Sequence, residues 1–287
     1  MTETTDSSAK RPPDPPPAPP PVFTREPGAD SDSDEAVADK QTPKKHPVLR
    51  ETAILVAIAV VLYYVMLTFV ARPYLIPSES MEPTLHGCPG CVGDRIMVDK
   101  LSYRFGAPRP GDVIVFKGPP SWNVGYRSIR SHTVVVRWLQ NALSFVGFVP
   151  PDENDLVKRV IAVGGQTVKC RNATGLTVDG KRLQEPYLDP AVMMADPSVY
   201  PCLGSEFGPV TVPPGRLWVM GDNRTHSADS RAHCTSIPAD ALKGILCTGD
   251  PTSGTVPVGN VIGKAQVIVW PPTRWGLVRS VNPQQGR

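Results

Sequence analysis

Hydrophobic and polar positions fall into two regimes along this chain. From Ala53 to Ala71 (AILVAIAVVLYYVMLTFVA) nineteen consecutive residues carry no charge. A helix of that length rises about 28 Å, close to the roughly 30 Å hydrocarbon layer of a bilayer. Beyond Arg72 the pattern shifts to short runs separated by Pro and Gly: Arg95–Lys100, Asp112–Phe116, Leu156–Val163, Thr167–Cys170, Leu176–Val178, Lys181–Leu183, Leu217–Met220 and Val261–Trp270. Alternation and β-branched enrichment predict strands, and Asp179-Gly180 predicts a tight hairpin turn. No long amphipathic helix alternates with them, which excludes a βαβ plan. The expected fold is mainly β: a single N-terminal transmembrane helix followed by an antiparallel domain.

One segment breaks the β pattern. In Thr133–Val149, Arg137, Gln140, Asn141 and Ser144 recur at helical spacing as a narrow polar stripe on an apolar surface. The segment is too short to cross a bilayer. Two readings stand open: a helix in the membrane interface anchored by Trp138, or a helix packed on the β core. Trp270 and Trp275, which flank Arg274, pose the same choice between the headgroup layer and an ordinary core.

The first fifty residues hold 11 of the chain's 34 prolines, from Pro12-Pro13 through Pro19-Pro20-Pro21. Such a stretch cannot bury enough apolar surface to offset its ordering entropy and is predicted to be disordered, with polyproline II character. It reads as a spacer or as a docking site for a proline-recognising partner. The predicted organisation is a tail over residues 1–50, a span over 51–71, and a domain over 72–287 with an insertion at 118–150.

A cleaved signal peptide is disfavoured. Some fifty residues precede the apolar run, and Phe69 spoils a small-x-small cleavage site ending at Ala71. Lys40, Lys44, Lys45 and Arg50 before the span outweigh Arg72 after it. The positive-inside rule therefore places the N-terminus in the cytoplasm and residues 72–287 outside. Tyr74 falls where an interfacial aromatic belt begins. The net charge of +3 is spread along the chain without a basic, aromatic-laced stripe, so no nucleic-acid partner is implied.

All six cysteines, Cys88, Cys91, Cys170, Cys202, Cys234 and Cys247, lie after the span, as expected for an oxidising compartment. Six cysteines allow 15 connectivities. Local proximity favours Cys170–Cys202 and Cys234–Cys247 and leaves Cys88–Cys91. Zinc at Cys88-Pro-Gly-Cys91 is the competing reading, weakened by the lack of a second CxxC; no cofactor and no metal are expected.

Three segments carry candidate chemistry. Ile76-Pro77-Ser78-Glu79-Ser80-Met81-Glu82-Pro83-Thr84-Leu85 sets two hydroxyls in a Pro-bracketed turn just past the span. Serine is a weak nucleophile until a base takes its proton. Lys158, within Leu156-Val157-Lys158-Arg159-Val160-Ile161, is a candidate base if it points inward, because desolvation disfavours the ammonium. Strand alternation would send Arg159 to the opposite face; a surface lysine is the bland alternative. The third segment, Met220 to Arg231, has the inventory of a hydrogen-bonded scaffold or simply of a solvated loop. His226 there suggests a triad, but a histidine in so polar a loop is more often exposed.

PSESMEPTL, GDVIVF (Gly111–Phe116), KRVIAVGGQTV (Lys158–Val168) and GDNRTHSADSR (Gly221–Arg231) resemble, in order and spacing, four ectodomain motifs of bacterial type I signal peptidases. The resemblance covers the anchor and most of residues 51–270. It implies a β-rich ectodomain, Ser80 as nucleophile and Lys158 as general base. It further implies Ser78 with the Ser80 amide as the oxyanion hole, Ser227 orienting the lysine, and Asp222, Arg224, Asp229 and Arg231 holding the site by ion pairs. The implied activity is removal of signal peptides from exported preproteins after small residues at −3 and −1, with the lipid bilayer and the export machinery as partners. Rivals are a relative of narrower specificity and a catalytically silent, membrane-tethered β module. One departure is Gly164-Gly165-Gln166, where the family often has Pro-Gly-Asp, which leaves the role of that turn open.

Overall fold

Residues 47–122, 130–131, 133–145, 155–191, 202–234 and 246–285 are described by a computed structural model. The Pro-rich segment expected to be disordered lies outside them, apart from its last few residues. Helix α1 spans Pro47–Val65 and continues as one π-helical stretch, Met66–Val70. The apolar stretch Val48–Val70 is long enough to cross a membrane, with a mean hydropathy of 2.7, and its surface is almost wholly exposed. Helical structure thus begins before the expected start, and Ala71 is already the first residue of a strand. No linker separates helix from sheet. Lys100 closes the junction: its ammonium donates to the carbonyls of Thr68 (2.9 Å) and Leu67 (3.3 Å), which the helix end leaves without partners.

Among the described residues, twelve strands follow in chain order: β1 (Ala71–Leu75), β2 (Arg95–Asp99), β3 (Val113–Lys117), β4 (Asp155–Val163), β5 (Thr167–Arg171), β6 (Gly175–Val178), β7 (Lys181–Arg182), β8 (Phe207–Thr211), β9 (Arg216–Met220), β10 (Val256–Pro257), β11 (Val261–Trp270) and β12 (Gly276–Leu277). The larger sheet has the order β1-β2-β11-β3-β4-β9-β10, with β12 also pairing β11; the smaller is β7-β6-β5-β8. These pairings are antiparallel. The mainly β, antiparallel architecture expected from the sequence pattern is the one observed.

The two-residue β12 aside, the strands absent from the sequence reading share a cause. β1, β8 and β10 contain Pro73, Pro209 and Pro257, and all three lie at the ends of their sheets. Proline cannot donate to a ladder on both sides, so it is confined to edges and masks the strand that carries it. The hairpin turn at Asp179-Gly180 is present, with φ of +50° and +78°. The Gly164–Gln166 turn is closed by a side chain: Gln166 accepts from the Val163 amide (3.1 Å) and donates to Gln284 (2.9 Å).

Side chains of β4 and β9 (Ile161, Ala162, Trp218, Met220) meet those of the smaller sheet (Val168, Cys170, Leu176, Val178, Phe207, Val210) in one apolar cluster. Phe207 and Trp218 stack there at 5.4 Å, and the Cys170–Cys202 and Cys234–Cys247 bridges lie in it. A second cluster joins Tyr74, Met81, Leu85, Ile96, Val113 and Ala265, so Tyr74 is a core residue and not part of an interfacial belt. Since β4 is covered on both faces, Lys158 through Ala162 are all buried.

Candidate active site

The chain between β1 and β2 is shaped by Asp94, which is fully buried. The amides of Ile76 and Asp94 donate to the carbonyls of Asp94 and His86 (both 2.8 Å), and the Asp94 carboxylate accepts from the His86 amide. Arg274 completes the set with two bonds to that carboxylate, at 2.8 and 3.0 Å. Trp270 and Trp275, which flank it in sequence, are both exposed and not in the core. Within the loop so closed, Met81 and Leu85 are buried anchors and Glu79–Met81 forms a 3-10 turn. That turn presents Ser80, 9 % exposed. Its hydroxyl lies 3.3 Å from that of Ser78.

Lys158 reaches Ser80 from β4. Its ammonium nitrogen lies 2.8 Å from Ser80 Oγ and donates to the Val157 carbonyl at 3.0 Å. Lys158 is 4 % exposed. Burial lowers its pKa from 10.5 to about 8; Asp229 and Asp222 pull upward and Arg231 pushes downward. None of these charges bonds the amine, so desolvation prevails. The Cβ-less Gly221 allows this packing: a Cβ there would lie 2.4 Å from the Ser80 carbonyl and 2.3 Å from Ser227 Oγ.

The next residue, Arg159, faces the other way and is equally buried. Its guanidinium grips Asp222 with two bonds (2.8 and 2.7 Å), donates to the carbonyls of Gly111 (2.8 Å) and Arg279 (3.1 Å), and lies 4.0 Å over the Tyr187 ring. Thr84, from the serine loop, donates to the same Asp222 carboxylate at 2.5 Å. One ion pair therefore ties the Ser80 loop, the lysine strand and the Gly221–Arg231 loop together.

The remaining scaffold residues pair differently from the simplest expectation. Asp229 does bond Arg231 (2.8 and 2.9 Å) and also accepts from the Gly221 amide. Burial alone would raise its pKa, but Arg231 outweighs that and holds it low. Asp222 and Arg224 are not each other's partners. Asp222 takes Arg159, and Arg224 takes Glu185 in a buried pair. Arg159, Glu185, Thr84 and Tyr187 were missed by sequence reasoning. A cation inside the apolar run Val157–Val163 was the available signal, because a buried guanidinium demands a carboxylate.

Ser227 departs from expectation. Its Oγ is buried beside Gly221 and Ser80 but makes no hydrogen bond, so the expected bond to Lys158 is not formed here. His226 is exposed, and among the described residues its ring bonds only the neighbouring Thr225. Cys88 and Cys91 are joined as a disulfide, which leaves no thiolates for zinc although His86 lies close by. A cavity of about 490 Å³ lies on the Arg159 side, lined by Thr84, Tyr187, Leu188 and Arg279 among others; neither Ser80 nor Lys158 reaches it.

Comparison with known proteins agrees with this geometry. Residues 49–270 match the family model "Signal peptidase, peptidase S26". A signal peptidase I of Mycobacterium tuberculosis strain H37Rv is 72 % identical over the whole length of both chains. A probable signal peptidase I of Mycobacterium leprae is 69 % identical, again over both full lengths. A crystal structure of a signal peptidase I from Enterococcus faecalis covers 55 % of this chain and 97 % of its own at 23 % identity. Its TM-score of 0.32 is too low to speak for the fold. The match over residues 49–270 and the two full-length relatives settle the family: this chain belongs to the signal peptidases, peptidase S26.

Proposed function

We propose that this serine peptidase is a membrane-anchored endopeptidase that removes signal peptides from exported preproteins, using Ser80 as nucleophile and Lys158 as general base. The observation that carries this reading is the buried 2.8 Å contact between Lys158 Nζ and Ser80 Oγ, with no carboxylate bonded to the amine. A lysine in that setting is neutral in a useful fraction of molecules near pH 8.

In the proposed cycle the substrate binds extended, adding a strand beside the site, and small pockets accept only small side chains at −1 and −3. Neutral Lys158 takes the Ser80 proton as Oγ attacks the scissile carbonyl. The Ser80 amide and the Ser78 hydroxyl donate to the oxyanion; such donors are worth roughly 2.7–4 kcal/mol each in comparable hydrolases. The C–N bond then breaks, the Lys158 ammonium gives its proton to the leaving amine, and an ester to Ser80 remains. Lys158 next deprotonates water, which attacks the ester, and the proton returns to Ser80 Oγ. The buried Ser227 hydroxyl, which has no hydrogen-bond partner among the described residues, is the group assigned to orient the amine during the cycle. α1 anchors the chain in the cytoplasmic membrane with residues 72–287 outside, and the export machinery delivers substrate there.

The test uses the full chain in detergent with a preprotein substrate, and product is resolved by mass. Cleavage at one site by wild type, abolished in Ser80→Ala and in Lys158→Ala, is expected. Equal product from all three would leave only the silent β module.

A further inference from the structure

Helix α2 (Val134–Phe145) is built inside out for a protein in water. Its inward residues are polar: Gln140 accepts from the Ser131 amide at 3.0 Å, and Ser144 is buried. Its outward surface is mostly apolar, with Arg137 and Asn141 exposed along one edge. Val134, Val135 and Trp138 are 68 %, 74 % and 70 % exposed, and Val136, Leu139 and Leu143 extend the same surface. A surface helix in water points the opposite way, and a contiguous apolar patch of this kind marks a contact surface.

The position of the helix says what covers it. The guanidinium of Arg72 donates to the Ser144 carbonyl at 3.4 Å, and Arg72 is the first charged residue after the apolar stretch of α1. The C-terminal turn of α2 therefore sits at the level where the span leaves the hydrocarbon. Twelve residues rise about 18 Å, too little to cross the layer. The charges suit a headgroup zone. α2 contains Arg137 and no acidic residue, and Arg72 lies near enough to Lys100 to help lower its pKa, after burial.

We propose that α2 is a second membrane element, lying in the plane of the outer leaflet with Val135, Trp138 and Leu139 among the acyl chains and its cationic flank among lipid phosphates. This rests on the placement of α1 in the membrane. It adds that the catalytic domain is held by two elements, a span and a float, joined at Arg72.

Full-length protein is reconstituted into phosphatidylcholine–phosphatidylglycerol vesicles with and without dibrominated acyl chains, and wild type is compared with Trp138→Phe. Of five tryptophans, the substitution removes one, and the difference emission belongs to Trp138. Blue-shifted difference emission, quenched at least twofold by brominated lipid and not by aqueous iodide, is expected. Difference emission untouched by brominated lipid, in protein that still floats with the vesicles, overturns the inference: iodide quenching would put the face in water, and resistance to both quenchers would put it under protein. Protein that fails to float would instead remove the placement of α1, and the inference with it.

Discussion

Lys158 and Arg159 are consecutive cations on one strand, both buried, and their two environments could hardly differ more. On the Arg159 side the charge is fully answered by a bidentate carboxylate, two carbonyls and an aromatic face. On the Lys158 side the amine meets a hydroxyl and one carbonyl, with carboxylates acting only from a distance. Equal burial thus goes with different roles: Arg159 is paired and braces the site, while burial pushes Lys158 toward its neutral, basic form. Partners, not depth, decide what a buried cation does.

The hardest blow to this contrast is Lys158→Met. It should lower preprotein cleavage by about 10⁴-fold or more, in line with single knockouts of a catalytic nucleophile or base. It should nevertheless melt no lower than wild type at pH 7, because it removes a poorly compensated buried charge. A clear fall in Tm would mean that the ammonium is structurally paired after all. Arg159→Met acts in the opposite sense by stranding Asp222, and truncating one partner of a buried pair costs about 3–5 kcal/mol. A Tm drop on the order of 10 °C by calorimetry is expected, and a drop below 2 °C would show the pair to be dispensable.

Ser227→Ala probes the loop on the lysine side. Its hydroxyl stabilises nothing in the resting site, so Tm should hold while kcat falls about 10–100-fold, equivalent to roughly 1.4–2.7 kcal/mol. If KM rises instead, Ser227 binds substrate and does not position the amine. The smallest effect is that of pH. Only neutral Lys158 accepts a proton, so kcat/KM should rise with pH to a midpoint near 8, gaining about fivefold from pH 7 to 8. A profile flat over that interval, with chemistry rate-limiting, would remove the lysine as base.

How far the sequence speaks for the molecule follows the same division. Local patterns were readable: β11 runs over the predicted Val261–Trp270, and the Asp-Gly hairpin lies where its turn chemistry put it. The lysine strand alone fitted a surface lysine equally well, and only the family motifs beside it pointed to a desolvated base. Pairings across the fold were not readable, because Arg159–Asp222 and Arg224–Glu185 depend on sheet register and on a loop that returns from far along the chain. The proline-bearing edge strands were hidden by the residue that defines them. The polar stripe of α2 was visible, but only the structure reveals that its Gln140 and Ser144 turn inward while Arg137 and Asn141 stay exposed.

The missing linker between α1 and β1 has a mechanical meaning. Helix passes to strand at Ala71, Lys100 bolts the joint, and Ser80 follows nine residues later in a braced loop. The anchor is thus less a tether than a ruler. On the proposed placement of α1 in the membrane, it would set Ser80 at one height above the bilayer, and a cleavage site would be selected by where along a translocating chain it arrives as well as by its side chains.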